Sequence, residues 1–392
     1  MLNREDNDLL TRVGPGTPAG ELLRRYWHPV AAACEITAEK PKKRIRLLGE
    51  DLVLFRDGSG TLGLIEEHCP HRGVSLYYGF VENEGIRCAY HGWKFDCRGQ
   101  CLDMPFEPEG TPLKSKIAAK AYKVQELSGL LFAYLGPDPA PLLPHYDPLV
   151  RTDVRRKIHI LPQLNCNWLQ VMENSVDPTH THYLHGANMN ARGSEEASFH
   201  YRKIEAIDFV VRKEADWGGV IKKRVFGDVE IDSNEGHPVI FPTMLLLPPH
   251  PHIMMHFRVP VDDTHTQIFR CQFTESENGE EIKQNEVPVE YVKPFVDDSG
   301  EYHLTTFGSQ DAMAWETQGA IANRGREMLG ASDRGIALYR RLLKEQIAAV
   351  QQGKDPLGVI RDPAINTRIM IALSTQQQEF RNQRLKNAKA EA

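Results

Sequence analysis

Two short pairs of cysteine and histidine stand closest to chemistry in this chain: Cys69-Pro70-His71 and Cys88-Ala89-Tyr90-His91, separated by sixteen residues. Two thiolates and two imidazoles at fixed spacing can hold zinc or iron. In a zinc finger both cysteines come first and both histidines follow. Here each cysteine is followed at once by its own histidine, which is the order of a Rieske [2Fe-2S] centre. Cys69 and Cys88 would hold one iron and His71 and His91 the other, and imidazole ligation raises the reduction potential above that of an all-thiolate cluster. Gly73 and Gly92 let each loop curl and aim backbone N–H groups at the sulfurs. Pro70 stiffens the first loop. A zinc knuckle, or four unrelated buried residues, are the competing readings.

A second constellation runs from Glu173 to Gly186. It holds three histidines, His180, His182 and His185, and two carboxylates, Glu173 and Asp177. His180 and His185 are five apart, which on a regular helix separates them by roughly 140°. Both can face one metal only if the helix bends or ends between them, and Pro178 and Gly186 favour such irregularity. Asp177 and His180, three apart, share a helix face. An iron(II) site that activates O2 needs two imidazoles, one carboxylate and open positions. The best third ligand is Asp311, on a helical stretch from Gly308 to Glu316; Glu316 is the second candidate. Surface acids and core histidines are the alternative, which the neighbouring Cys/His pairs disfavour.

The elements that must position these groups fall into two units, as expected for 392 residues. Residues 1–42 read as a helical, then irregular, segment packing on the catalytic domain. Thr17 caps a short helix with Pro18 in its first turn. Residues 43–137 read as short strands and turns, a small β domain presenting the Cys/His loops. Residues 138–150, rich in proline, are a semi-rigid linker. Residues 151–392 form the catalytic domain, with helix around 168–185, strands from about 201 to 275 and helices from 305 to 350. Ser332-Asp333 caps the last long helix, with Leu338, Leu342, Ile347 and Val350 on its apolar face. The fold class is α+β, and the tail from about 374 is polar and mobile.

Net charge is −6, which favours neither nucleic acid nor an anionic membrane. No apolar run approaches a membrane span, and the charged N-terminus lacks a signal core, so the cytoplasm is the expected compartment. Cys34, Cys97, Cys101, Cys166 and Cys271 remain beyond the Cys/His pairs. That odd remainder argues against a disulfide framework. No Gly-x-Gly-x-x-Gly fingerprint follows a strand, so nicotinamide cofactor is expected to act through another protein.

Over roughly residues 1–350 the chain resembles the catalytic (alpha) subunit of Rieske non-heme iron aromatic ring-hydroxylating oxygenases, in the phthalate-dioxygenase branch. The Cys-x-His…Cys-x-x-His and Asp-x-x-His-x4-His motifs carry the likeness. So do Glu5 to Leu10 with Arg24-Arg25-Tyr26-Trp27, Gln310-Asp311 through Arg324, and Leu329 to Ile336. The last forty residues carry no recognised motif. The resemblance implies a Rieske [2Fe-2S] cluster on Cys69, His71, Cys88 and His91, and a mononuclear non-heme Fe(II) on His180, His185 and Asp311. It implies a helix-grip catalytic domain, and Asp177 as a carboxylate bridging the cluster of one subunit to the iron of the next. It further implies a homotrimer or stacked hexamer, an aromatic small-molecule substrate and O2, and a separate NADH-dependent flavin/[2Fe-2S] reductase.

The substrate is less legible. On the strand from His252 to Arg258, His252, Met254, His256 and Arg258 share one face, and Ile253, Met255 and Phe257 the other. If the first face lines the pocket, His256 or Arg258 can receive a carboxylate or phenol; otherwise Arg258 is a solvated strand residue. Arg202, Arg212 and Arg270 are similar candidates. Phe307 and Trp315 can line an aromatic pocket or belong to the core. The expected function is hydroxylation or O-demethylation of an aromatic carboxylate or aryl ether in aromatic catabolism. The alternative is a Rieske electron carrier with a non-catalytic C-terminal domain.

Overall fold

A computed structural model describes residues 2–188, 204–225, 236–247 and 252–371. The tail expected to be mobile, and Arg202, lie outside them. The strands are β1 (Trp27–Ala32), β2 (Lys42–Leu47), β3 (Glu50–Arg56), β4 (Leu62–Glu66), β5 (Phe80–Glu82), β6 (Gly85–Arg87), β7 (Lys94–Phe95), β8 (Cys101–Asp103), β9 (Ala121–Leu127) and β10 (Leu130–Tyr134) in the N-terminal unit. The C-terminal unit holds β11 (Val154–Ile160), β12 (Ala206–Lys213), β13 (Gly218–Val225), β14 (His237–Ile240), β15 (Met244–Leu247), β16 (Ile253–Pro260), β17 (Thr266–Glu275) and β18 (Val289–Tyr291). The helices are α1 (Arg4–Thr11), α2 (Pro18–Leu23), the short α3 (Leu113–Lys116) and α4 (Asp147–Val150), α5 (Trp168–Ser175), α6 (Phe307–Glu316) and α7 (Arg334–Gln351).

The N-terminal strands form a six-stranded sheet ordered β1-β10-β9-β4-β3-β2 and a small sheet ordered β5-β6-β7-β8. The strand β1 lies within the segment expected to be helical and irregular. It is buried along its whole length and pairs antiparallel with β10, so the sheet begins at Trp27. Its register shifts between Pro29 and Ala31, the irregularity a proline imposes on an edge strand. Thr17 caps α2 as expected, accepting from the Gly20 N–H, with Pro18 in the first turn.

The catalytic sheet has eight strands in the order β12-β13-β14-β15-β16-β17-β11-β18. All neighbours are antiparallel except β11 and β18. The alternation read in β16 holds: Ile253, Met255 and Phe257 join the main core. The opposite face turns toward α5 and α6. Thr306 caps α6 by accepting from the Ser309 N–H. Asp333 sits at the N-terminus of α7, but its carboxylate accepts from the Gly330 N–H at 2.6 Å outside the helix rather than capping it.

The two units share one apolar core, which runs from Leu22, Leu52 and Leu131 to Phe257, Phe273 and Leu343. The Leu48 and Gly49 N–H groups also donate to the Pro260 and Val261 carbonyls. A buried ionic knot fixes the helix before the histidines. Glu173 of α5 pairs with Arg324 at 2.7 Å and Arg340 at 2.6 Å. Arg340 also holds Glu327, and Arg324 reaches Asn7 of α1.

Candidate active site

The two Cys/His loops are built alike. The Cys69 N–H donates to the Val74 carbonyl and the Gly73 N–H to the Cys69 carbonyl, both at 2.9 Å. In the second loop Cys88 N–H donates to Trp93 at 2.8 Å and Gly92 N–H to Cys88 at 3.0 Å. Each ring closes through a glycine at φ +74°, a left-handed conformation only glycine adopts cheaply. Arg87 braces the second loop, donating to the Gly92 carbonyl at 2.6 Å and to Asp103 at 2.7 Å.

Both cysteines are buried, and their sulfurs approach within hydrogen-bonding reach. Burial pushes the Cys69 thiol up to about 11; the N–H groups of His71 and Arg72, which point at its sulfur, oppose this, and the neighbouring Cys88 adds to it. Such a pair gains from a metal that takes both as thiolates. The His71 and His91 rings meet edge-on with centroids 4.6 Å apart, and His71 stacks on Trp93 at 4.3 Å. The Nδ1 of His91 is buried with no hydrogen-bond partner, which is what a nitrogen reserved for a metal looks like. The four residues fit a two-iron cluster.

The second constellation converges as well. The chain leaves α5, bends at Asp177-Pro178-Thr179, and enters a π-helix over Thr181–Ala187. That irregularity answers the spacing problem. A π-turn closes after five residues rather than four, so His180 and His185 return to one side. The π-helix contacts α6, and the ligand atoms of His180, His185 and Asp311 lie within 4.8 Å of one another. His185 Nε2 is 3.4 Å and His180 Nε2 4.0 Å from Asp311 Oδ1.

The other ring nitrogens are held from behind. His180 Nδ1 donates to the Asp177 carbonyl oxygen at 2.7 Å, and His185 Nδ1 to Gln310 Oε1 at 2.8 Å. This fixes the tautomer that leaves each Nε2 lone pair for a metal. Burial lowers His180 to about 4, against the pull of Asp311 and Asp177. Burial also opposes charge on His185, but its hydrogen bond and attraction to Asp311 prevail and raise it above the ordinary imidazole value. Two imidazoles, one carboxylate and open positions suit non-heme iron(II).

Comparison with known proteins agrees with this geometry. Residues 26–123 match the Rieske [2Fe-2S] domain family, and residues 296–392 the family described as LigXa C-terminal domain like. The second match runs to the end of the chain and so corrects the expectation that the last forty residues carry nothing recognisable. The chain is 41% identical to the 5,5'-dehydrodivanillate O-demethylase oxygenase subunit of Sphingobium sp., over 94% of this chain and 86% of that protein. It is a Rieske non-heme iron oxygenase. The phthalate 4,5-dioxygenase oxygenase subunit of Pseudomonas putida is 31% identical over 94% of this chain and 91% of its own. The terminal oxygenase of carbazole 1,9a-dioxygenase from Nocardioides aromaticivorans has the same fold, with TM-score 0.64 and 21% identity over 88% of this chain and 98% of that one.

As a Rieske oxygenase the chain carries a [2Fe-2S] cluster and a mononuclear iron, and takes its electrons from a separate partner. The electron-carrier alternative falls with this assignment. Among the described residues no helix is long and apolar enough to cross a membrane.

Several candidates prove structural. Glu316 accepts from the Asn165 N–H at 2.6 Å and the Tyr302 hydroxyl at 2.9 Å, away from the triad. Arg258 is neither solvated nor open to a ligand. It is 3% exposed, donates to the Val171 carbonyl and the Ser175 hydroxyl, and lies over Trp315. Arg212 stacks on Trp217 and binds Asp216. Trp315 belongs to a small buried cluster, whereas Phe307 meets the His185 ring edge-on at 4.8 Å. Gln310 escaped the sequence reading. Its one signal is an amide beside a proposed ligand, and its role depends on a contact with His185, distant in sequence.

Proposed function

We propose that this oxygenase hydroxylates or O-demethylates an aromatic carboxylate or aryl ether, with Cys69, His71, Cys88 and His91 holding the cluster and His180, His185 and Asp311 the mononuclear iron. The observation that carries the reading is the convergence of that triad, each imidazole held by its far nitrogen. When bound, the cluster supplies electrons singly and the iron supplies O2 activation. The chain's own part is to aim Nε2 of both histidines and the Asp311 carboxylate at one place, to leave positions open, and to seat substrate so that water is excluded. Phe307, against His185, forms one wall.

Asp177 is the proposed bridge toward the cluster of a neighbouring subunit, which calls for a homotrimer or stacked hexamer. Its Oδ1 is bound by the Thr179 N–H and hydroxyl, each at 2.7 Å, while Oδ2 stays 3.7 Å from His180 Nδ1. Asp177 thus holds His180 chiefly through its backbone carbonyl, leaving one carboxylate oxygen for an incoming donor. The electron source is an NADH-dependent flavin/[2Fe-2S] reductase. The acids in the names of the two relatives support the substrate class. Iron analysis tests the reading. Wild type should carry about three irons per chain and His180→Ala about two, with unchanged cluster colour and no turnover. Turnover retained by His180→Ala would refute the triad.

A further inference from the structure

One row of cross-strand pairs in the catalytic sheet joins Leu245, His256, Arg270 and His159. Directly paired residues share a face, and this is the face on which Arg258 meets Trp315 of α6. The row therefore looks toward the helix that carries Asp311. The Arg270 guanidinium reaches the first turn of that helix: a Cβ on Gly308 would stand 3.7 Å from its Nη2.

Arg270 is only partly exposed, and its Nε is buried without a partner. Among the described residues its guanidinium has no hydrogen bond and no ion pair. The nearby carboxylates are committed elsewhere. Asp311 belongs to the metal triad, and Glu290, at the open end of the row, pairs with Lys157 at 2.6 Å. The other arginine on this face, Arg258, is occupied by Val171 and Ser175. A half-buried cation with no direct ion pair, attracted only at longer range by Asp311 and Glu290, is costly unless an anion arrives to meet it. His256 stands on the neighbouring strand. Burial and the two arginines hold it uncharged, so it brings one N–H donor.

We propose that Arg270 anchors an anionic substituent of the substrate, taking a carboxylate through its planar fork, with His256 as the adjoining donor. The aromatic ring would then extend toward His180, His185 and Asp311. This rests on the oxygenase reading above and adds what selects the substrate: the site prefers an aromatic acid over its neutral counterpart.

The test uses oxidised, iron-loaded protein and calorimetric titration with a panel of methoxy- and hydroxybenzoates and the matching neutral amides. Wild type should bind at least one acid more tightly than its amide. Arg270→Gln should weaken that acid by about 10–100-fold, the range for losing a charge-assisted pair, and leave the amide unchanged. Arg270→Lys keeps the charge but not the fork, and should fall between. Cluster absorption and melting curves check that each variant folds, and Arg270→Lys decides the matter if Arg270→Gln does not. Undiminished acid binding by a folded variant overturns the proposal. So does wild type that binds amide as well as acid, or binds no acid in the panel. Turnover separates this failure from that of the underlying reading. If a neutral aryl ether is oxygenated as well as the acid, the oxygenase reading survives and the anchor falls. If the acid binds through Arg270 but no aromatic compound is oxygenated, the anchor survives and the aromatic-substrate reading falls.

Discussion

Replacing Gln310 with leucine tests whether the mononuclear iron depends on support from behind its histidines. Gln310 is fully buried. Its Nε2 donates to the Leu304 carbonyl at 3.0 Å, which turns Oε1 toward His185 Nδ1 at 2.8 Å. Leucine fills a similar volume and accepts nothing. The His185 Nδ1–H then lies buried and unpaired, at a cost of about 1–3 kcal/mol. The tautomer with its proton on Nε2, which cannot bind metal, becomes competitive. That cost corresponds to roughly 5–150-fold in an equilibrium constant, and loss of such partners typically weakens metal binding about 10–100-fold. Iron should therefore be removed by a mild chelator at concentrations about 10–100-fold lower than wild type requires. The assay follows iron content during chelator titration, with visible absorption reporting the cluster separately. Gln310→Leu that keeps its iron as wild type does would refute the argument that this amide positions His185.

Other perturbations should act elsewhere. Glu173→Gln leaves Arg324 and Arg340 buried without their shared carboxylate, and should cost about 3–5 kcal/mol in denaturant or thermal unfolding. Substituting Cys88 or His91 should bleach the cluster while the triad still binds iron; loss of both metals together would count against two independent sites. Asp177→Asn should keep both metals and slow electron transfer between them, and a normal rate of substrate oxidation would remove the bridge. His28 is buried, with Nε2 2.9 Å from the Leu23 carbonyl oxygen, and burial lowers it to about 4. A lowered histidine stabilises the fold fully above its unfolded pKa of about 6.5 and loses that contribution as pH falls toward 4. His28 alone should account for about 2 kcal/mol lost by pH 5, measurable as a shallower acid decline in His28→Gln.

The Cys/His loops were legible because each is local. Ligand, glycine and closing hydrogen bond fall within six residues, and the glycine at positive φ marks the turn. The convergence of His180 and His185 was legible as a pair of residues but not as geometry, since five-residue spacing brings them together only on the π-helix that Thr181–Ala187 adopts. Alternation in β16 assigned faces correctly, yet could not tell whether the polar face met solvent or a helix. Arg258 meets Val171, Ser175 and Trp315 instead of water. The β1 strand was obscured by Pro29 and by a continuous apolar run whose partner, β10, lies about a hundred residues on. Gln310 was not singled out, and Arg270 stood only as one of several candidate arginines, because a lone amide or guanidinium acquires a role only from what faces it across the fold.

Single turnover tests the central claim most directly. The protein, loaded with cluster and mononuclear iron and chemically reduced, is mixed with isotopically labelled O2 and a panel of aromatic acids with and without methoxy groups, and the products are weighed by mass spectrometry. The account predicts labelled oxygen in a hydroxylated product, or a phenol with released formaldehyde, and neither in His180→Ala. Fully loaded protein that consumes O2 and leaves every aromatic acid unchanged would contradict it.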